Sequence, residues 1–409
     1  MHGGLMDLVM NDVSTSRRHF PSYVSDEIIT LTNLENFGEH KETRIEKHGD
    51  SFRKIYLQVR LRPAPEGYRW KKNWPMHFIE NVCVDIDNNN ISDNTAEFYQ
   101  MSHLMFKNPK YHISNKFDYN DNERTIKSKR CVETSIEIFS AFECFLIRIH
   151  PTSVIKIKLN SLDKILERIP DGNTYVNTDV NTDVNIDVNT DVNTDVNIDV
   201  NTDVNFNIPN LLESCDIRCL YRYYDTNDRS IIVMKDIVEY KFDYYKTLTQ
   251  IISLTTTPMV PTRLAIDNHT RISAIYIWIR NVDGTEISSQ IIKRLKVFYN
   301  GRLQNEFSGG QSQVHPRNNV PDEINRNIPS ENIYYLSYNY PNNEYITDRG
   351  LDMHIIQNYE IEFDWNEIHV VPSTIKITMS FKMAQILRSI DRLCGLAYLT
   401  SGITITSRM

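Results

Sequence analysis

Glycine is scarce in this chain, with thirteen in 409 residues, and the glycines form no phosphate-binding loop. Gly309-Gly310 is the nearest approach, and it lies in a loop-like stretch without the preceding strand and following helix that a nucleotide fingerprint requires. His-Glu-x-x-His and Gly-x-Ser-x-Gly are also missing, which removes the common zinc-hydrolase and serine-hydrolase patterns. No run of about 18 apolar residues occurs, so no transmembrane helix is expected. The opening Met1-His2-Gly3-Gly4-Leu5-Met6-Asp7-Leu8 has neither a basic leader nor an apolar core, so a signal peptide is not expected. A soluble protein made in the cytosol is the expectation. Basic charge is also short: 45 Lys and Arg stand against 53 Asp and Glu, a formal charge of −8. Nucleic-acid-binding domains carry a clustered basic excess, so direct binding to nucleic acid is not expected.

Aromatic and strand-forming residues are abundant. There are 22 Tyr and 16 Phe, and the hydrophobic fraction is 40%. A chain of this length can build two sizeable cores, and the wealth of Tyr, Thr, Val and Ile leans towards strands. Cys83, Cys131, Cys144, Cys215, Cys219 and Cys394 are the cysteines, several inside apolar strand patterns. Buried free thiols in a reducing compartment are the simple reading. Cys215 and Cys219 lie four apart with no second pair or histidine nearby, whereas structural zinc needs four ligands. No metal ligand, cofactor-binding residue or catalytic residue is assigned, and an enzyme is not expected.

Residues 176–203 are seven unbroken copies of Val-Asn-(Thr/Ile)-Asp, with seven Asp and no Lys or Arg. Without them the charge is −8 + 7 = −1, so the body of the chain is nearly neutral. Val, Thr, Asn and Asp are poor helix formers. The glycines that shape calcium-binding repeats are missing. The expectation is an exposed acidic low-complexity insertion over 176–205, between two strands.

Period-two alternation marks a series of strands. Gly49-Asp50 leads into Ile55–Leu61, stopped by Pro63 and Pro65. After Trp74, a strand is expected over His77–Ile86, then a turn Asp87-Asn88-Asn89-Asn90. A short helix over Thr95–Met105 follows from the spacing of Phe98, Met101, Leu104 and Met105. Asp85 and Asp87 are read as turn residues rather than paired catalytic carboxylates. Further strands are expected at Phe142–Ile149, Val154–Leu159, Ile217–Asp225 and Val238–Tyr240, then at Thr262–Asp267 and Ile272–Ile279. Asn300-Gly301 signals a tight hairpin. Residues 308–330 read as a long exposed loop. Strands return at Ile333–Tyr340 and Ile375–Phe381. Tyr221, Tyr223 and Tyr224 read as core or interface aromatics rather than base-stacking ones. The sequons at Asn90 and Asn268 are not expected to carry glycans in the cytosol.

The ordered series of motifs resembles the major capsid proteins of nucleocytoplasmic large DNA viruses. The resemblance rests on Gly3-Gly4-Leu5 with Leu8, the Gly49-Asp50 strand and the Trp74-to-helix succession. It continues through Leu220-Tyr221-Arg222-Tyr223-Tyr224-Asp225 with the later Glu239-Tyr240, Ile275-Tyr276-Ile277-Trp278, and Asn300-Gly301-Arg302. Ile333-Tyr334-Tyr335-Leu336-Ser337-Tyr338 and the closing Gly395-Leu396-Ala397-Tyr398 complete it. Two departures stand out. Asn342-Asn343-Glu344 replaces a Pro-Ser-Gly turn, and a histidine pair is reduced to His315, which suggests a divergent paralogue.

The resemblance implies an all-β chain: two tandem eight-stranded jelly-roll β-sandwiches, a double jelly roll, with a few short helices in loops. It divides the chain into an N-terminal arm (1–30), a first jelly roll (31–250) carrying the 176–205 insertion, and a second (251–409). Ile55, Leu57, Leu220, Ile277 and Ile377 are expected in the cores. The implied function is a structural capsid protein of a large icosahedral double-stranded DNA virus, forming homotrimeric, pseudo-hexagonal capsomers. Its partners would be itself, neighbouring capsomers, minor capsid proteins and an inner membrane layer. Its place would be the virion shell after synthesis in the host cytoplasm at viral factories. A carbohydrate- or receptor-binding β-sandwich of a virion surface or fibre is the alternative.

Overall fold

The computed structural model describes residues 23–65, 67–71, 74–105, 132–140, 152–168, 210–225, 237–254, 261–267, 271–287, 290–308, 332–338, 346–347, 350–366, 374–390, 393–396 and 404–408. Cys131, Cys144, the strand at Phe142–Ile149, the repeat, the 308–330 loop past Ser308, and most of the N-terminal arm lie outside the described residues.

The first half builds two four-stranded sheets. One orders β1 (Tyr23–Leu34), β10 (Leu212–Tyr224), β3 (Ser51–Leu61) and β7 (Val132–Ser140). The other orders β2 (His40–Arg44), β8 (Ser153–Leu159), β5 (Ile79–Ile86) and β6 (Asn89–Thr95). A two-stranded ribbon of β4 (Tyr68–Trp70) and β9 (Leu166–Arg168) lies beside them.

The second half repeats the plan. One sheet holds β11 (Ile237–Ser253), β20 (Thr374–Ile390), β13 (Arg271–Asn281) and β16 (Ile333–Ser337). The other holds β15 (Arg302–Ser308), β14 (Ile292–Tyr299), β19 (Tyr359–Trp365) and β12 (Thr262–Asp267). Counting only these sixteen strands, both halves read first–eighth–third–sixth and second–seventh–fourth–fifth. That order, all antiparallel, is a jelly roll. The remaining strands are additions at the margins: β17 (Ile346–Thr347), β18 (Gly350–Asp352), β21 (Leu393–Leu396) and β22 (Thr404–Arg408).

Each pair of sheets encloses its own core because inward residues recur every second position. Phe52, Ile55, Leu57, Val59, Val82, Val84, Ile155, Ile157, Ile217 and Cys219 fill the first. Ile275, Ile277, Ile279, Leu295, Val297, Ile361, Phe363, Ile377, Met379 and Phe381 fill the second. Ile55, Leu57, Ile277 and Ile377 are thus where the sequence places them. Leu220 is not. It is half-buried on the outer face opposite Ile28, while its neighbours Cys219 and Tyr221 point inward. The apolar run around it hid the phase of the alternation.

Two tight turns show why particular residues stand where they do. Asp87 and Asn88 have φ of 48° and 62°, and Asn300 and Gly301 have 49° and 75°. Both positions of a two-residue type I′ turn need positive φ, which Asn, Asp and Gly tolerate best. The first turn is narrower than expected: Asn89 and Asn90 already pair in β6, and Asp85 belongs to β5. The expected strand over His77–Ile86 is also shorter. His77 and Phe78 close a helical turn, α1 (Trp74–Phe78), with Pro75 in its first turn, where a missing N–H costs nothing. The expected helix is α2 (Ala96–Met105), capped by Thr95 Oγ1, which accepts the Phe98 N–H at 3.4 Å.

Candidate functional site

No residue of this chain was assigned to catalysis, and the side chains that invited a chemical role are held in structural ones. Cys215 and Cys219 point into the first core, where burial raises both thiols, Cys219 to about 12. Cys83 is also pushed up to about 12, by burial and then by Asp85. Asp85 pairs with Lys156 Nζ at 2.7 Å rather than with a second carboxylate. Asp87 Oδ1 accepts the Thr152 N–H at 2.9 Å, tying the turn to the start of β8. Tyr221 is fully buried, and the Tyr224 hydroxyl meets Ser51 Oγ at 3.0 Å, so neither offers a face to a base. Asn90 is half-buried, and its Nδ2 lies 2.9 Å from Cys83 Sγ and 3.3 Å from Asp85 Oδ1. A glycan would have to displace both contacts. Among the described residues no group of His, Cys, Asp and Glu is arranged to hold a metal, and no helix is long and apolar enough to cross a membrane.

The most developed constellation is the junction between the two sandwiches. α2 leaves the first sandwich and lies on the outer face of the β13 sheet. Phe98, Met101 and Met105 pack there against Tyr245, Ala274, Tyr276, Trp278, Ile333 and Tyr335. Phe98 and Tyr245 have ring centroids 4.7 Å apart, and Tyr276 stacks on Tyr335 at 5.2 Å. This third apolar cluster explains why β13 and β16 are buried on both faces. An uninterrupted apolar strand needs cover on each side.

Polar contacts rim the cluster. Lys246 of β11 reaches Asp93 of β6 at 2.7 Å, and Asn81 Nδ2 donates to the same carboxylate at 3.1 Å. Lys376 of β20 meets Glu97 of α2 at 3.1 Å. Arg280 is only 4% exposed; its guanidinium lies 3.6 Å from the centre of the Trp278 ring, and its Nη1 donates to Gln100 Oε1 at 3.1 Å. Asn89 Nδ2 donates to the Cys394 carbonyl at 3.0 Å, tying the β5–β6 turn to β21.

Burial pushes the Asp93 and Glu97 carboxyls up. Hydrogen bonds outweigh it in both: from Lys246 and Asn81 to Asp93, and from its own backbone N–H and Lys376 to Glu97. Both therefore sit below their ordinary values of 3.8 and 4.5. A lowered carboxyl stabilises fully above its ordinary value and stops doing so as pH falls through the lowered one. Acid unfolding should accordingly show a component below about pH 4 that disappears in an Asp93→Asn, Glu97→Gln double variant. Circular-dichroism melts from pH 7 to pH 2 measure it; an unchanged acid limb would contradict the assignment.

The long pair β11 and β20 binds the halves in a second way. Their register is unbroken from Ile237↔Ile390 to Ser253↔Thr374. Tyr240 and Leu387 at one end belong to the first core; Tyr244, Met379, Phe381 and Met383 belong to the second. One ribbon thus runs through both hydrophobic cores.

The outer face of the β14 sheet is charged. Glu360, Glu362 and Asp364 of β19 lie beneath Arg263, Lys296 and Arg294, with Lys296 Nζ 2.9 Å from Glu362 and 3.1 Å from Asp364. The exposed large apolar side chains among the described residues are Ile28, Ile251, Val282, Leu303 and Ile355, on separate strands and turns. Sequence reasoning had no access to the junction, because His77, Gln100, Arg280 and Lys376 lie far apart and none stands in a motif. The apolar run Ile275–Ile279, too rich for a strand with one wet face, was the available signal.

No protein-family model matches the chain, and no curated protein matches it by sequence. Solved structures do. PBCV-1 VP54, from a crystal structure fitted into a reconstruction of the virophage Sputnik, superposes with a TM-score of 0.67 at 11% identity, covering 94% of this chain and 98% of that one. A chain of the PBCV-1 virus capsid gives 0.65 at 11% identity over 94% and 98%. The Faustovirus major capsid protein gives 0.58 at 9% identity over 91% and 93%. The chain is a double jelly roll. Its fold is the one implied by the resemblance to the capsid proteins of large DNA viruses, and at these identities the likeness is one of fold.

Proposed function

We propose that this protein is a structural capsid protein of a large icosahedral double-stranded DNA virus and is not an enzyme. The observation that carries the reading is the likeness in fold, over nearly the whole of both chains, to a chain of the PBCV-1 virus capsid and to the Faustovirus major capsid protein. Three copies would present six sandwiches, making a pseudo-hexagonal tile held by heterologous contacts around a ring. The junction supports this role. A tile must hold its two sandwiches in one fixed relation, and the apolar cluster, the ion pairs and the shared β11–β20 ribbon all do so. Minor capsid proteins and an inner membrane layer are the further proposed partners, and the virion is the proposed location. Quantitative mass spectrometry of purified virions tests the reading. It predicts a shell-level copy number if the chain is the main facet protein, and fewer copies if it is the divergent paralogue suggested by its motif departures. Absence from the particle would overturn it. The receptor-binding alternative would draw support from exposed aromatics on loop tips, whereas the exposed large apolar residues described above are all aliphatic.

We further propose that the division between the jelly rolls falls between Asp225 and Ile237. Gln250 lies within β11, which holds the first place in the second set of eight strands. The described residues on either side of the repeat are anchored to the first sandwich: Trp70 pairs Leu166, the Arg62 N–H bonds the Leu211 carbonyl at 2.8 Å, and Asn210 Nδ2 bonds the Glu35 carbonyl at 2.9 Å. These anchors flank the repeat without using it, and loop-closure entropy changes slowly with loop length. Deleting 180–203 should therefore leave the melting temperature within about 2 °C and the oligomeric state unchanged. A failure to fold would show the repeat to be structural.

A further inference from the structure

His77 in α1, Gln100 in α2 and Arg280 in β13 form a chain of hydrogen bonds across the junction. Arg280 Nη1 lies 3.1 Å from Gln100 Oε1, and Gln100 Nε2 lies 3.1 Å from His77 Nδ1. The direction of each bond is fixed by chemistry. A guanidinium has donors only, so the amide atom facing it must be the oxygen. The amide nitrogen therefore faces His77, and His77 Nδ1 must accept. The imidazole is then neutral, with its proton on Nε2.

We propose that this relay is an acid-released latch between the two sandwiches. A proton on Nδ1 sets two donors against each other. Gln100 satisfies the imidazolium only by turning its oxygen towards His77, and Arg280 then faces an amide nitrogen and loses its acceptor. Arg280 is buried and its other hydrogen-bond contact is long, Nη2 to Thr378 Oγ1 at 3.5 Å, so leaving Nη1 without a partner is costly.

The cations around the latch act in the same direction, while the carboxylates of Glu97 and Glu286 favour the charge on Arg280. Lys71, from the segment before α1, and Arg280 face His77 as cations. Lys71 is held nearby through the Asp163 carbonyl at 3.2 Å. On α2, Glu97 lies beyond Gln100 and is taken up by Lys376 of β20. Glu286 accepts the Trp278 Nε1–H at 3.1 Å. Asn160, after β8, donates from Nδ2 to the backbone carbonyls of His77 at 2.8 Å and Ile79 at 3.2 Å. Burial first, then Lys71 and Arg280, hold the imidazole below its ordinary value of 6.5.

The sign follows. The closed junction resists the proton, and an open one takes it near the ordinary value. Closure is therefore fully supported above that value and weakens as pH falls below it, in a window above the one in which Asp93 and Glu97 titrate. One proton coupled to opening changes the opening equilibrium by up to about tenfold per pH unit.

The test is amide hydrogen exchange of α1 and α2 in the full chain, corrected for intrinsic rates, together with imidazole NMR of the histidines, with His77→Gln assigning the signal. The parent should show Nε2–H His77 at pH 7 and faster corrected exchange at pH 5. Gln100→Glu supplies a carboxylate that accepts from both Arg280 and protonated His77, so His77 should titrate higher and the acid acceleration should vanish. His77→Gln keeps an acceptor without a titrating group and should also lose the acceleration, which covers the case in which Gln100→Glu does not fold. A proton on Nδ1 at pH 7, equal corrected exchange at pH 7 and pH 5, or acceleration that persists in His77→Gln would overturn the proposal.

Discussion

Replacing Phe98 with alanine should destabilise the protein by about 3–5 kcal/mol and split its unfolding into two transitions. Phe98 is 2% exposed and sits between α2 and the β13 sheet, against Tyr245. Its removal costs the transfer of an aromatic ring and leaves a cavity that the fixed β13 and β16 strands close poorly. The loss falls on the cluster that lies between the two cores and belongs to neither. Calorimetry should therefore resolve two sandwiches melting separately where the parent melts as a unit. Phe98→Leu, which retains most of the volume, should cost less than about 1.5 kcal/mol and keep a single transition. A Phe98→Ala protein that melts in one step within about 1 kcal/mol of the parent would show that the β11–β20 ribbon alone couples the halves.

Gly350→Ala is the second large effect, at about 3 kcal/mol or more. Gly350 has a φ of 110°, which side chains other than glycine's rarely adopt. An added Cβ would lie 2.7 Å from the Ile272 carbonyl carbon and 2.7 Å from Ser273 Cα. β18 cannot retreat without giving up its pairing with β13 at Arg271↔Asp352 and Ile272↔Leu351. Gly301 provides the control. Its φ of 75° is also left-handed, but a Cβ there meets nothing within 4 Å. Gly301→Ala should cost only about 1 kcal/mol, the conformational penalty alone. Denaturant titration of both variants separates overlap from conformation, and equal losses would contradict the packing described at Gly350.

Strands with one wet face were the most legible elements. Thr262–Asp267 appears with the expected bounds, Asn300-Gly301 forms the hairpin its chemistry calls for, and the helix ends at Met105 with its apolar face inward. Strands at Ile272–Ile279 and Ile333–Tyr340 were also legible, although β13 and β16 are covered on both sides; legibility failed where the phase of the alternation was ambiguous. Around Leu220, Cys219, Leu220 and Tyr221 are all apolar, so period two does not say which of them points inward. β19 was not among the expected strands; its Glu360, Glu362 and Asp364 are each less than 10% exposed beneath basic residues of β12 and β14. The first turn of α1 was lost because Met76, His77 and Phe78 suit the start of a strand as well as a helical turn. The junction relay was invisible, because hydrogen-bond direction among three distant residues leaves no trace in sequence spacing.

Multi-angle light scattering of the purified full-length chain at micromolar concentration, without metal or nucleotide, tests the capsid account most directly. The chain has a mass of 48.0 kDa, so the account predicts a single species of 3 × 48.0 = 144 kDa. A stable monomer at the same concentration would contradict a self-assembling tile.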